Sequence, residues 1–144
     1  MATGVQVAFD CADPDRLARF WAQALGYKLQ DPPAGYTSWE DWAREQGIPE
    51  ERWNQVSAIV DPDGRGPRLY FQKVPEAKVV KNRVHLDLNV SGGRGTPLAE
   101  ERRRIDAEVQ RLVGAGATRL GTLEESGGYV VNMADPEGNE FDVQ

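Results

Sequence analysis

The fold of this chain is decided by residues 84–90, which read Val84-His85-Leu86-Asp87-Leu88-Asn89-Val90. Apolar residues alternate strictly with polar ones, and this period of two is typical of a strand that packs on one face only. The polar face carries His85, the single histidine of the 144-residue chain, beside Asp87. Such a face meets water on an isolated sheet, but it lines a cavity if two half-barrels curl around it. Its meaning depends on whether the rest of the chain repeats the pattern.

Length and composition predict one domain with an ordinary hydrophobic core. The net charge of -6 argues against nucleic-acid binding, which needs a basic surface. No apolar run reaches the length of about 18 residues that a membrane span requires, and Met1-Ala2-Thr3-Gly4 lacks the features of a secretory signal. The single cysteine, Cys11, cannot form an intrachain disulfide, as is typical of a reducing compartment. We therefore expect a cytoplasmic protein that handles a small molecule.

The first half begins with a strand, a helix and a second strand. Residues 5–10 alternate, with Val5, Val7 and Phe9 on the side predicted to face the core. Asp13 suits the N-cap of the following helix and Pro14 its first position, while Gly26 is suited to end it in a left-handed conformation. The remaining strands of this half are predicted at 27–30, 56–60 and 68–73, and 74–77 reads as a linker.

Residues 31–55 form an aromatic-rich insertion that contains Trp39, Trp42 and Trp53. Ser38 followed by Asp41 resembles a capping box, which predicts one short helix, with Trp39 and Trp42 on one side, stopped by Gly47 and Pro49. Two interpretations stay open for the tryptophans. They pin the insertion onto the body of the protein, or they form a lid over a pocket for a flat organic ligand.

The second half follows the same order of elements. A helix is predicted over 98–113, ended by Gly114 and Gly116, and strands are predicted at 117–120, at 129–133 after a turn at Gly127-Gly128, and at 140–144. The core side of the helix is predicted to carry Leu98, Ile105, Val109, Leu112 and Val113.

The two halves share their clearest motif just before their last strands. Val60-Asp61-Pro62-Asp63-Gly64 matches Ala134-Asp135-Pro136-Glu137-Gly138, and a period of about 75 residues indicates two similar modules that share a core. We expect a single domain over 1–144, with one module at about 4–75 and the other at about 82–144.

With these elements in place the chain resembles the vicinal oxygen chelate superfamily, which has the glyoxalase/bleomycin resistance/dioxygenase fold, and most closely its glyoxalase-like domain branch. The resemblance covers nearly the whole chain and rests on Phe20-Trp21, Leu25-Gly26-Tyr27, Asn82-Arg83-Val84-His85-Leu86-Asp87-Leu88 and Asp135-Pro136-Glu137-Gly138-Asn139-Glu140-Phe141. It implies an α+β fold in which two paired βαβββ modules form an open, cavity-lining barrel. It also favours a homodimer over a monomer.

The resemblance further implies where a metal would bind. Its ligands would be Gln6, His85, Asp142 and either Tyr70 or Gln72. Gln6 and His85 both lie on the polar face of their strands, which agrees with this assignment, and mixed nitrogen and oxygen ligands suit nickel, zinc, manganese or iron. The metal enzymes of the superfamily usually offer a carboxylate where Tyr70 or Gln72 stands, and both are weak ligands. A site without metal is therefore favoured over a divalent ion.

Several functions remain open at this point. An extradiol-type oxygenase needs two histidines and is disfavoured by a chain with one. A metal-free enzyme would use His85 as its catalytic acid or base, oriented by Asp87 or Asp142; a purely structural His85 is the other interpretation. A binding protein would hold a small organic ligand with Trp39, Trp42, Trp53 and Tyr70, and orient it with Gln6, Gln72 and His85. We favour the small-molecule-binding protein, with a metal-dependent lyase or isomerase as the alternative.

Overall fold

The first half of the chain forms a four-stranded mixed sheet. The computed structural model describes residues 1–124 and 128–144, and it divides into two compact units, Met1–Ala77 and Lys78–Gln144. In the first unit the elements are β1 (Val7–Cys11), α1 (Pro14–Leu25), β2 (Lys28–Leu29), α2 (Trp39–Glu45), a 3₁₀ helix (Glu50–Gln55), β3 (Val56–Val60) and β4 (Leu69–Lys73). The strand order is β1-β4-β3-β2, and only the β1–β4 pair is parallel.

The second half repeats this topology. Its elements are β5 (Asp87–Leu88), α3 (Leu98–Ala115), β6 (Thr118–Leu123), β7 (Val130–Ala134) and β8 (Glu140–Val143). The order is β5-β8-β7-β6, with β5 parallel to β8. The predicted α+β class with repeated modules is thereby confirmed. That the two modules form one domain stays a prediction. The boundary between the two compact units falls between Ala77 and Lys78, within the predicted gap at 75–82.

Helix α1 forms as its sequence predicts. The Asp13 side chain caps the helix by accepting a hydrogen bond from the Arg16 N–H, and Gly26 ends it with φ of 68°. Leu17, Phe20 and Trp21 are buried. The ring of Phe9 on β1 lies 5.3 Å from that of Trp21 and 5.2 Å from that of Phe71 on β4, so aromatic contacts join the helix to the sheet.

The central strand is shorter than predicted. Pairing with β8 runs from the Leu86 carbonyl to the Val90 N–H, and only Asp87–Leu88 are strand residues. Val84 is 81% exposed, so its predicted core orientation is wrong; the same holds for Val5, which is 71% exposed and precedes β1. The reason is common to both: the partner strands β8 and β4 begin at Glu140 and Leu69, and an extended segment without a partner is not held against a core.

Other boundaries in the second unit also differ from those predicted. Helix α3 continues through Gly114 to Ala115, and Gly116 caps it. Leu98 and Val113, predicted to face the core, are exposed. Val113 follows the buried Leu112, and successive helical residues point about 100° apart, so both cannot face the sheet. Strand β6 extends to Leu123 across a register shift between Arg119 and Gly121.

The turn predicted at Gly127-Gly128 lies in part outside the described residues. Within the part of the chain that the structure describes, no helix has both the length and the apolar character that crossing a membrane requires.

The insertion of the first unit contains two short helices where one was predicted. Ser38 caps α2 through a hydrogen bond from the Asp41 N–H, as expected. The additional 3₁₀ helix is tied to the N-terminus of α1 by Asn54, whose amide donates to Asp13 and accepts from the Asp15 N–H. Long-range contacts of this kind leave no mark in local periodicity, and the sequence therefore did not predict this helix.

Candidate functional site

In the second unit His85, Asp87 and Asp142 lie together on the polar side of the sheet. The His85 Nδ1 atom is 2.9 Å from Asp87 Oδ1 and 3.5 Å from Asp142 Oδ2. Asp87 and Asp142 are opposite each other in the parallel β5–β8 pair, which explains why they meet. Asp142 is the least exposed of the three, with 17% of its side chain accessible. His85 and Asp142 are thus brought together as predicted, and Asp87 joins them.

Asn132 is a further member of this cluster that the sequence did not indicate. It lies opposite Asp142 in the β7–β8 register, and its amide donates a 2.5 Å hydrogen bond to Asp142 Oδ1. The available signal was weak: Asn132 stands between the buried residues Val131 and Met133, so it belongs to the polar face of β7. Asn132 leaves Asp142 Oδ2 as the oxygen that faces His85.

The cluster has the donor chemistry of a divalent metal site. One nitrogen and two carboxylate oxygens lie within 4.8 Å of one another. Zinc binds such atoms at about 2.0–2.2 Å, so ligand atoms around one ion lie about 3–3.5 Å apart, and the two distances from His85 Nδ1 are 2.9 and 3.5 Å. The residue types, and two of the three spacings between ligand atoms, therefore suit a divalent metal. The same distances also suit a metal-free arrangement in which two carboxylates hold the histidine.

In the first unit the equivalent polar face is organised by an arginine that the sequence analysis missed. The Arg68 Nη1 atom donates to Gln6 Oε1 and its Nε to Gln30 Oε1, both at 2.7 Å. The guanidinium carbon lies 5.2 Å from the centre of the Tyr70 ring. Period-two alternation with the buried Leu69 was the signal that could have identified Arg68. The predicted ligand Gln6 is thus engaged by a cation through its amide oxygen.

The strand registers relate the two polar faces position by position. Ala8, Tyr70 and Ala58 form one cross-strand row in the first sheet. The corresponding row of the second sheet is Asp87, Asp142 and Asn132. The register therefore identifies Tyr70, rather than Gln72, as the counterpart of Asp142. The first face offers an aromatic ring between two small residues where the second offers carboxylates.

The remaining predicted site residue on β4 has a local partner. The Gln72 amide donates a 2.7 Å hydrogen bond to Asp10, its neighbour across the β1–β4 pair. Gln6, Tyr70 and Gln72 belong to the first unit, and His85 and Asp142 to the second. A metal site shared by Gln6 with His85 and Asp142 stays a prediction.

The three tryptophans of the insertion occupy two places. The rings of Trp39 and Trp42 meet edge to face at 5.5 Å, on one side as predicted. Trp39 donates its indole N–H to the Gln30 carbonyl at 2.7 Å and so ties α2 to the end of β2. Trp53 lies apart, where it donates to the Ile48 carbonyl and contacts the Arg44 guanidinium. Trp39 nevertheless stays 42% exposed, so pinning the insertion uses only part of its surface.

One charged contact borders the polar face of the second sheet. Lys81 donates a hydrogen bond to Glu140, the first residue of β8. This hydrogen bond is the main cause that holds the pKa of Glu140 below its usual range, with smaller contributions from the positive charges of Lys81 and Lys78. Glu140 is therefore an anion at neutral pH. It stands immediately before Phe141 as Arg68 stands before Leu69, so the two units carry opposite charges at equivalent positions.

Comparison with known proteins finds a family model and structural neighbours. Residues 6–144 match the model described as "Glyoxalase-like domain". The glyoxalase/bleomycin resistance protein/dioxygenase domain from Frankia sp. EAN1pec is 19% identical, with a TM-score of 0.59 over 99% of this chain and 97% of that chain. A possible glyoxalase from Bacillus cereus is 17% identical, with a TM-score of 0.61 over 99% of both chains.

A variant of the genomically encoded fosfomycin resistance protein FosX from Listeria monocytogenes has a TM-score of 0.64. It is 10% identical over 100% of this chain and 90% of that chain, and it was solved in complex with Mn(II) and 1S,2S-dihydroxypropylphosphonic acid. Likeness at these identities establishes the fold. The comparison with curated proteins finds no match.

Proposed function

Because this chain belongs to the glyoxalase-like domain family, we propose that it binds a small organic molecule on the polar face of its first sheet. The observation that carries this proposal is the cross-strand row Ala8–Tyr70–Ala58. Ala8 is exposed, and Ala58 and Tyr70 are half-buried, so the row forms a shallow and partly accessible apolar surface, which we call the floor. Aromatic and small apolar surfaces of this kind are typical of ligand sites.

Polar groups surround this floor and would orient a ligand. Gln6 and Arg68 lie at one end, and Gln72 with Asp10 at the other. Trp39 reaches the end of β2 through its hydrogen bond to Gln30 and keeps an exposed ring surface. A few convergent polar groups beside an apolar surface favour binding of a flat organic molecule over a general wetted face.

The test is a substitution that places a larger side chain on the floor and leaves the buried core unchanged. Ala58→Leu would add a bulky side chain beside Tyr70. Ala107→Leu, the same substitution at an exposed position of α3 in the second unit, serves as the control. Wild type is screened by calorimetry against small aromatic acids and amides, and every binder is measured on both variants. We expect Ala58→Leu to weaken binding at least tenfold and Ala107→Leu to leave it unchanged. Equal binding by all three proteins would exclude the floor as the site.

The alternative function, a metal-dependent lyase or isomerase, is favoured by the cluster of His85, Asp87 and Asp142. A bound divalent ion would supply Lewis-acid chemistry to an oxygen of a substrate. In this chain His85, Asp87 and Asp142 would hold the ion, so that all three ligands would come from the second unit. Without the ion, Asp87 would orient His85 as a proton acceptor.

Metal content distinguishes these possibilities. Protein purified without an affinity tag is measured by mass spectrometry before and after incubation with nickel, zinc or manganese. The metal function predicts stoichiometric metal that His85→Ala and Asp87→Asn both lose and that Asp63→Asn, an exposed acid in the first unit, retains. If neither untreated nor incubated protein retains metal, the lyase or isomerase alternative is wrong.

A further inference from the structure

Arg68 is held in place by neutral groups. Its two hydrogen bonds end on the amide oxygens of Gln6 and Gln30, which fix the direction of the guanidinium without neutralising its charge. Among residues 1–77, all of which the structure describes, no carboxylate lies within ion-pair distance of Arg68, and no third acceptor is present. A guanidinium has five N–H donors, so roughly three of them remain for another group.

Three of the five other arginines in this unit are paired with a carboxylate. Arg19, Arg44 and Arg65 each form an ion pair, with Asp15, Asp41 and Asp63 respectively. Those pairs lie on exposed surface, where an ion pair contributes little to stability. Arg68 is half-buried and stacked over Tyr70, so its charge is less screened by water than theirs. A half-buried cation that is oriented but not neutralised favours an anion as its missing partner.

The fold itself does not require a cation at this position. Glu140 occupies the equivalent place before β8 in the second unit, where it is paired with Lys81. The same sheet topology therefore accommodates either charge sign. The Arg68 guanidinium, with its two glutamines, is a feature of the first face alone.

We infer that Arg68 binds the carboxylate of an aromatic organic acid whose flat apolar part lies over Ala8 and Ala58. The inference rests on the proposed function and names the class of its ligand. A carboxylate accepts two parallel N–H bonds from a guanidinium, and this geometry suits the donors that Gln6 and Gln30 leave unused. Tyr70 supports the guanidinium from below, while the two alanines leave room for the ring beside it.

The experiment compares aromatic acids with their primary amides, which have nearly the same shape and no charge. Benzoate with benzamide, 2-naphthoate with 2-naphthamide, and indole-3-acetate with indole-3-acetamide are titrated calorimetrically into wild type, Arg68→Met, Arg68→Lys and Arg65→Met. Arg65 is exposed and lies in the turn after β3, so its variant controls for the loss of one positive charge. Melting temperatures establish that each variant is folded.

For wild type we expect at least one acid to bind about tenfold or more tightly than its amide, as hydrogen bonds to charged groups imply. Arg68→Met should abolish that preference, and Arg65→Met should preserve it. Arg68→Lys should retain part of it, because lysine keeps the positive charge but cannot form the paired hydrogen bonds of a guanidinium. If Arg68→Met does not fold, a reduced preference for the acid in Arg68→Lys and in Gln30→Leu, compared with wild type, provides the same test.

The outcomes separate the inference from the proposed function. Binding of acids and amides with equal affinity, or a preference that survives in Arg68→Met, would overturn the role of Arg68 and leave small-molecule binding intact. Absence of binding by every acid and every amide would overturn both. A merely structural Arg68 predicts a lower melting temperature in Arg68→Met with an unchanged ratio of acid to amide affinity.

Discussion

At the level of single residues, Asp142 illustrates how a neighbouring strand determines the role of a carboxylate. Its Oδ1 atom accepts from Asn132 on β7, and its Oδ2 atom faces His85. The sequence identifies Asp142 as a polar-face residue of the last strand, but it cannot identify Asn132 as its partner. The two residues meet because the β7–β8 register sets them opposite each other.

Asn132→Ala is expected to lower the free energy of unfolding by about 1–3 kcal/mol, because a largely buried carboxylate loses a hydrogen bond. Thr118→Ala, at an exposed position on the adjacent strand β6, controls for the loss of β propensity and should cost less than 1 kcal/mol. Urea denaturation measures both. Equal costs for the two variants would mean that the Asn132–Asp142 hydrogen bond contributes nothing specific.

Among the secondary-structure elements, the 3₁₀ helix is fixed to α1 by Asn54. Its side chain bridges the Asp13 carboxylate and the Asp15 N–H. The hydrogen bond from Asn54 is the main cause that lowers the pKa of Asp13 from its ordinary value, although partial burial opposes it. Asp13 thus caps α1 and also binds the insertion through its hydrogen bond from Asn54.

We expect Asn54→Ala to destabilise the protein by about 1 kcal/mol at pH 7, with Gln55→Ala as the control. A carboxylate with a lowered folded pKa contributes stability that is present above its unfolded pKa and is lost as the pH falls through the folded pKa. The difference between wild type and Asn54→Ala should therefore shrink below about pH 4. Thermal melts from pH 7 to pH 3 measure it, and a difference that stays constant over this range would contradict the assignment.

The repeated turns before β4 and β8 are each built around an aspartate, which is half-buried in the first turn and buried in the second. Asp61 accepts from the N–H groups of Asp63, Arg65 and Gly66. Asp135, which is only 3% exposed, accepts from the Glu137 and Asn139 N–H groups and from the Asn139 side chain. In both turns a carboxylate accepts from at least three donors, which is why aspartate stands at this place in each half.

Burial makes the second turn the more sensitive one. Asp135→Ala is expected to lower the free energy of unfolding by about 2–4 kcal/mol, since its donors lose their acceptor away from water. Two of the three donors around Asp61, the N–H groups of Asp63 and Arg65, are exposed and can bind water instead, so Asp61→Ala should cost clearly less. Chemical denaturation of the two variants under identical conditions provides the comparison. A larger cost for Asp61→Ala would show that burial does not govern these turns.

For the molecule as a whole, the two repeated units keep the same buried strand positions but differ in the residues of their polar faces. Leu69 and Phe71 of β4 are fully buried, as are Phe141 and Val143 of β8. The polar positions between them have diverged to Tyr70 in one sheet and Asp142 in the other. This pattern agrees with modules that keep the same buried strand positions while their polar faces take different chemical roles.

The predicted single domain has a direct consequence for unfolding. Phe71→Ala and Phe141→Ala, one in each compact unit, should each cost about 3–5 kcal/mol. If the units share one cooperative core, each variant melts in a single transition that is shifted as a whole. Calorimetry tests this expectation. Two separate transitions, of which each substitution shifts only one, would show that the units unfold independently.

The sequence by itself determined the order of the strands and of the three α-helices. It also determined the ends of α1, the cap of α2, the repeated aspartate turns and the polar faces that carry His85 and Tyr70. These features depend on alternation and on contacts between near neighbours, which composition and spacing encode locally. Only the tertiary structure decided that the central strand starts after Val84, that Asn132 joins Asp142, and that Gln6 and Gln30 hold Arg68. Each of these depends on which strand lies alongside and in which register, because a strand residue is fixed only by a partner that stands far away in the sequence.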